Sequence, residues 1–111
     1  MKFFIVSMSH PEGPEWNEHV LAHVRYLLRL IETGQLVASG PLRGQALRTG
    51  FLIMRGETRE EIEDLVAGDP FAKENLIVSL TIEEWDPLFG GFSEQSSGRL
   101  IPELAELAGK V

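Results

Sequence analysis

Residues 2–9, KFFIVSMS, carry apolar side chains in both alternating sets, Phe3 and Ile5 on one side and Phe4, Val6 and Met8 on the other. A strand of this kind is covered on both faces, whereas a strand with one face in water alternates apolar with polar. The segments that follow supply one cover. HPEGPEW at 10–16 is a loop set by two prolines and a glycine, and a helix then runs from about Glu15 to Thr33 with Gly34 as its C′ residue. Trp16, Val20, Val24, Leu27, Leu28 and Ile31 recur at helical spacing and read as its buried face.

Leu36–Pro41 and Thr49–Arg55 read as two strands of a hairpin joined by the polar segment LRGQALR at 42–48. Thr58 opens a second helix, and Glu61 completes a T-x-x-E capping box. Ile62, Leu65 and Val66 form its apolar side, Glu60, Glu61, Glu63 and Asp64 the rest, and it stops at Gly68-Asp69-Pro70. Glu74–Trp85 reads as the last strand, with Leu76, Val78, Leu80 and Ile82 inward and Ser79, Thr81 and Glu83 outward. DPLFGGFSEQSSGRL at 86–100 is linker-like and buries almost nothing, and Ile101–Ala108 is a short amphipathic helix.

The order β-α-β-β-α-β specifies an α+β, ferredoxin-like fold, a four-stranded antiparallel sheet with two helices on one face. Residues 1–88 make that domain and 89–111 a C-terminal extension. Two helices cover a single sheet face, so the other apolar side of the first strand predicts a homodimer closed sheet against sheet.

The 111 residues suit a single domain, with 43% hydrophobic content sufficient for a core. Residues 2–8 are too few and too poorly flanked for a signal peptide, and no apolar run approaches the roughly 18 residues that a bilayer requires. Without cysteine there is no disulfide and no thiolate metal or redox chemistry, and a cytoplasmic location is expected. The net charge of −7, with acids gathered in ETREEIED at 57–64, disfavours nucleic acid and anionic membrane surfaces as partners. Arg43, Arg48, Arg55 and Arg59 fall near one another and read as solvated hairpin arginines in preference to the alternative, an anion site. The expected partners are a small molecule and a second copy of the chain.

Two polar residues fall where apolar ones belong. At 100° per residue His23 lies about 20° from Trp16 and about 40° from Leu27, so it faces the sheet and needs a hydrogen-bond partner. Asp69 continues the line of residues 62, 65 and 66, where a carboxylate wants a donor. Helices laid side by side on the sheet let Asp69 approach His23, orient its ring and fix its tautomer. The plainer alternatives are an Asx-turn at Asp69-Pro70 and a core histidine satisfied without any chemistry.

His19 and His23 have the i, i+4 spacing of a metal pair, but the H-E-x-x-H glutamate and a third ligand are missing, so no metal is expected. Ser7, Ser9 and Ser39 lack a nucleophile elbow, and Gly40-Pro41 and Gly90-Gly91 are turn glycines rather than a phosphate loop.

Three segments together resemble the YCII-related family: His23-Val24-Arg25-Tyr26-Leu27, Gly34-Gln35-Leu36-Val37-Ala38-Ser39-Gly40-Pro41 and Asp69-Pro70-Phe71. The likeness extends over about residues 1–86. It implies a ferredoxin-like fold, a dimeric α/β barrel and an active site centred on a histidine and an aspartate, to which His23 and Asp69 correspond. One branch of that family is a dehydrochlorinase acting on a chlorinated hydroxyhydroquinone, and muconolactone isomerase is a neighbour in fold. The chain departs from part of the family at Val20, where an arginine often stands three residues before the histidine.

The expectation is a small enzyme without a cofactor that moves a proton on a small cyclic or aromatic metabolite, by dehydrochlorinase-like elimination or by isomerisation. His23 is its general base or acid, Asp69 the orienter, and Met8, Trp16, Ser39 and Phe71 line the pocket. The competing readings are a non-catalytic ligand-binding or accessory module and an interaction domain whose His/Asp pair is structural. A deep cleft beside the imidazole speaks against the last.

Overall fold

β1 (Lys2–Ser9) is an inner strand, paired antiparallel with β3 (Thr49–Gly56) on one side and β4 (Ser79–Trp85) on the other. β2 (Leu36–Leu42) joins the outer edge of β3, giving the order β2-β3-β1-β4 of a ferredoxin-like sheet. These strands belong to a computed structural model that describes residues 1–108. α1 (Glu15–Glu32) connects β1 to β2, and α2 (Arg59–Ala67) with the single turn α3 (Pro70–Lys73) connects β3 to β4. A short 3-10 turn at Ser93–Gln95 and α4 (Pro102–Ala108) follow. Among the described residues no helix is long and apolar enough to cross a membrane.

Directly opposed residues in an antiparallel pair share a face, so register decides what the helices cover. Val6 lies opposite Leu52 of β3 and Ile82 of β4, and Phe4 lies opposite Met54. With Leu30 of α1 and Ile62 and Val66 of α2 these form the buried core. Burial of each large aliphatic or aromatic side chain stabilises by about 1.5–3 kcal/mol.

α1 ends as its sequence implies. Gly34 has φ +78°, its N–H donates to the Ile31 carbonyl, and the Gln35 N–H donates to the Leu30 carbonyl, a Schellman arrangement. Its inward face is rotated from the apolar pattern, however. Leu30 is buried, Tyr26 and Leu27 pack on the core, and Val24, Leu28 and Ile31 are 42%, 54% and 48% exposed. The Tyr26 hydroxyl donates to the Leu65 carbonyl at 2.6 Å, a tie to α2 that sets this roll.

β4 begins five residues later than the alternation suggests. Asp69 and Pro70 start α3 instead, and Asn75 at φ +56° turns the chain so that the Leu76 N–H donates to the Phe71 carbonyl. Ile82 is buried as expected, but Val78, just before β4, and Leu80 within it are 59% and 42% exposed, at the edge of the sheet.

The stretch after Trp85 is more ordered than a linker. Phe92 is half-buried, with its ring 5.9 Å from Phe3 and 6.1 Å from Trp85, and both the amide and the hydroxyl of Ser97 donate to the Asp86 carboxylate. The tail thereby covers Phe3, at one end of the sheet face that carries no helix. Ile101, just before α4, and Leu104 and Leu107 on it are exposed.

Candidate active site

Asp69 leaves the end of α2 in an extended conformation, φ −67° and ψ +133°, and caps α3 by accepting the Phe71 N–H at 2.9 Å. The same carboxylate accepts from His23 Nδ1, at 2.9 Å through Oδ1 and 2.8 Å through Oδ2. The local turn and the long-range pair are therefore one arrangement rather than alternatives. The cap fixes the carboxylate, which is 2% exposed, and the carboxylate fixes the imidazole. With Nδ1–H donated to Asp69, Nε2 is left as the acceptor of the His23 ring.

Phe71 completes the positioning. Its ring stacks on His23 at 4.4 Å and 27°, and Trp16 lies 6.2 Å from it at 25°. His23 then forms part of the wall of a cavity of about 480 Å³ between α1 and the β2-β3 end of the sheet. Met8, Trp16, Ser39 and Phe71 line that cavity with it, and Val20, Leu27, Pro41 and Leu52 add apolar surface. A mostly apolar slot with few polar groups suits a small, flat organic ligand. His19 sits on α1 outside this lining. Among the described residues no group of three His, Asp or Glu side chains is arranged to hold a metal ion.

Two polar residues of the cavity are invisible to helical periodicity. His10 is 4% exposed, its Nδ1 donates to the Leu76 carbonyl at 2.7 Å, and its ring lies 4.5 Å from Phe71 and 6.3 Å from His23. Burial holds His10 below the ordinary histidine range, the neighbouring His23 and Arg48 charges act the same way, and the Leu76 bond and Asp69 oppose them. Arg48 places its guanidinium carbon 3.9 Å from the centroid of the Trp16 ring. Arg48 is exposed, as read for the hairpin arginines, and in addition stacks on an indole face.

A signal for both residues exists in the strand register. Ser9 pairs with Thr49, and the His10 N–H continues the ladder to the Arg48 carbonyl at 2.9 Å. Once β1 and β3 are aligned, residues 10 and 48 must sit side by side at the end of the sheet near Asp69.

The family and the fold have known counterparts. The YCII-related domain model matches residues 1–86. Among solved structures the chain is similar to 5-chloro-2-hydroxyhydroquinone dehydrochlorinase (TftG) from Burkholderia phenoliruptrix AC1100, in complex with 2,5-dihydroxybenzoquinone. The TM-score is 0.67 at 26% sequence identity, covering 79% of this chain and 95% of that one. No curated protein sequence matches the chain.

Proposed function

Because the chain belongs to the YCII-related family, we propose that it is a cofactor-independent enzyme that transfers a proton on a small cyclic or aromatic metabolite, by dehydrochlorinase-like elimination or by isomerisation. The observation that carries this reading is His23, oriented by Asp69 at 2.8 Å and set into the wall of the apolar cavity beside Phe71 and Trp16. Likeness to a dehydrochlorinase supports elimination over the other proton transfers.

In that reaction His23 Nε2 takes a proton from a ring carbon. The C–H electron pair becomes the new double bond, and the adjacent C–Cl pair departs with chloride. The Asp69 carboxylate offsets the positive charge that the imidazole gains, as an orienting aspartate does in a triad, and the proton then passes to water. In an isomerisation the same imidazolium returns the proton to a different ring carbon. Met8, Trp16, Ser39 and Phe71 shape the slot that holds the ring.

The working unit in this proposal is a homodimer in a cytoplasmic setting, which a cysteine-free sequence suits. Residues 1–88 form the catalytic domain, and 89–111 an extension. Support for the dimer comes from the helix-free sheet face. Ile5 and Ile53 are opposed there, Phe51 follows one row on, and Arg55 Nε is buried with no hydrogen bond among the described residues.

A panel of chlorinated hydroxyquinols, lactones and dienols, incubated with the purified protein and followed by absorbance and chloride release, tests the proposal. Turnover of one class without an added cofactor is expected. Saturable binding with no turnover of any member would favour the ligand-binding module instead.

A further inference from the structure

The cavity beside His23 shares His10, Trp16 and Arg48 with a second, smaller cavity of about 270 Å³, lined otherwise by Pro11, Glu12, Gly13, Ala46 and Leu47. The three shared residues form a neck between the two spaces. Arg48 is fixed at this neck twice, through its carbonyl, which accepts the His10 N–H at 2.9 Å, and through its guanidinium, seated 3.9 Å over Trp16. Among the described residues its guanidinium enters no ion pair. The ion pairs among the described residues are Lys2–Glu84, His23–Asp69 and Arg59–Glu63, so even Glu12, across the smaller cavity, does not neutralise Arg48.

Arg48 is therefore a permanent cation in a mostly apolar lining that also holds His10, His23, Ser39 and Thr49, and its exposed side chain is open to an arriving anion. Stacking on the indole leaves the guanidinium edge free, with its N–H donors in a planar fork that matches an oxyanion.

We propose that Arg48 is the anion-binding group of this cavity and selects flat ring ligands that carry an ionised oxygen, a phenolate or an enolate. The inference rests on the reading of the cavity as a small-ring site and names the class of ring. His10 complements it. With Nδ1 donated to Leu76, its remaining nitrogen is an acceptor suited to a protonated hydroxyl, so a ring bearing both an ionised and a protonated oxygen satisfies the pair.

Calorimetric titration of the full chain with 2,5-dihydroxybenzoquinone, an acidic quinone ionised near neutral pH, tests this. Arg48→Gln should weaken binding by about 10- to 100-fold with an unchanged melting temperature, Arg48→Lys should recover part of the loss, and added salt should weaken the wild type more than Arg48→Gln. Unchanged affinity in Arg48→Gln would overturn the inference alone, leaving the small-ring reading intact. A loss that lysine does not recover and salt does not imitate would assign the effect to packing on Trp16 and overturn it too. A wild-type protein that binds no ionised ring would remove both.

Discussion

His10 and His23 are each committed through Nδ1, but to different partners: one donates to the Leu76 carbonyl and the other to the Asp69 carboxylate. Burial favours neutral His10 and outweighs the Leu76 carbonyl bond, which favours the protonated ring, so the folded protein binds fewer protons at this site than the unfolded chain. The stabilising contribution is complete above about pH 6.5 and is lost as pH falls below it toward the lowered folded value. His23, Asp69 and Arg48 are the charged groups that act on His10. His10→Asn keeps an N–H donor for Leu76 and removes the titrating ring. Urea midpoints measured at about pH 7 and about pH 5.5 should therefore fall less in His10→Asn than in the wild type. A variant whose midpoint falls as far as the wild type's would show that His10 is not responsible. His23 and Asp69 are legible in the sequence because each interrupts an apolar helical pattern. His10 and Arg48 are not, because their meeting depends on the pairing of two strands about forty residues apart.

The element order follows from local chemistry: the T-x-x-E box at Thr58, where the hydroxyl accepts the Glu61 N–H, and the left-handed Gly34 after α1. What the pattern misses is set by distant contacts. The roll of α1 depends on Tyr26 reaching Leu65, and α3 exists because Asp69 caps it while holding His23. The tail shows the same limit, since Gly/Ser/Gln composition conceals a single useful aromatic, Phe92 on Phe3 and Trp85. Truncation after Leu88 should leave the ferredoxin-like core folded and lower its stability by about 1–2 kcal/mol, the worth of one half-buried aromatic contact. Chemical denaturation monitored by circular dichroism measures it. A truncated chain with no cooperative transition would place the extension inside the core.

At the scale of the molecule, β1 decides the architecture through two apolar faces, one packed on helices and the other covered by the tail only near Phe3. The row of Ile5, Ile53 and Phe51 and the orphaned Arg55 Nε lie on that second face, and α1 adds an exposed stripe of Leu21, Val24, Leu28 and Ile31. Ile53 is already buried and Ile5 and Phe51 partly so, and the exposed α1 stripe adds apolar surface that a second copy can cover. Sedimentation at about micromolar concentration should give twice the monomer mass. A sharp monomer boundary at that concentration would refute the dimer. The sheet and its order are legible at this scale, but the site is not, since the cavity takes its walls from β1, α1, β2, β3 and the α3 turn together.

If the imidazole held by Asp69 moves the proton, removing it costs turnover, and the rate of His23→Ala reads that cost. The rate is measured on whichever panel compound the wild type converts, with chloride release as the readout for a chlorinated ring. His23→Ala should lose about 10²- to 10⁴-fold in rate while keeping its cooperative unfolding, and Asp69→Asn should also lose rate by setting the wrong tautomer. A His23→Ala protein that turns over substrate at the wild-type rate would contradict the account.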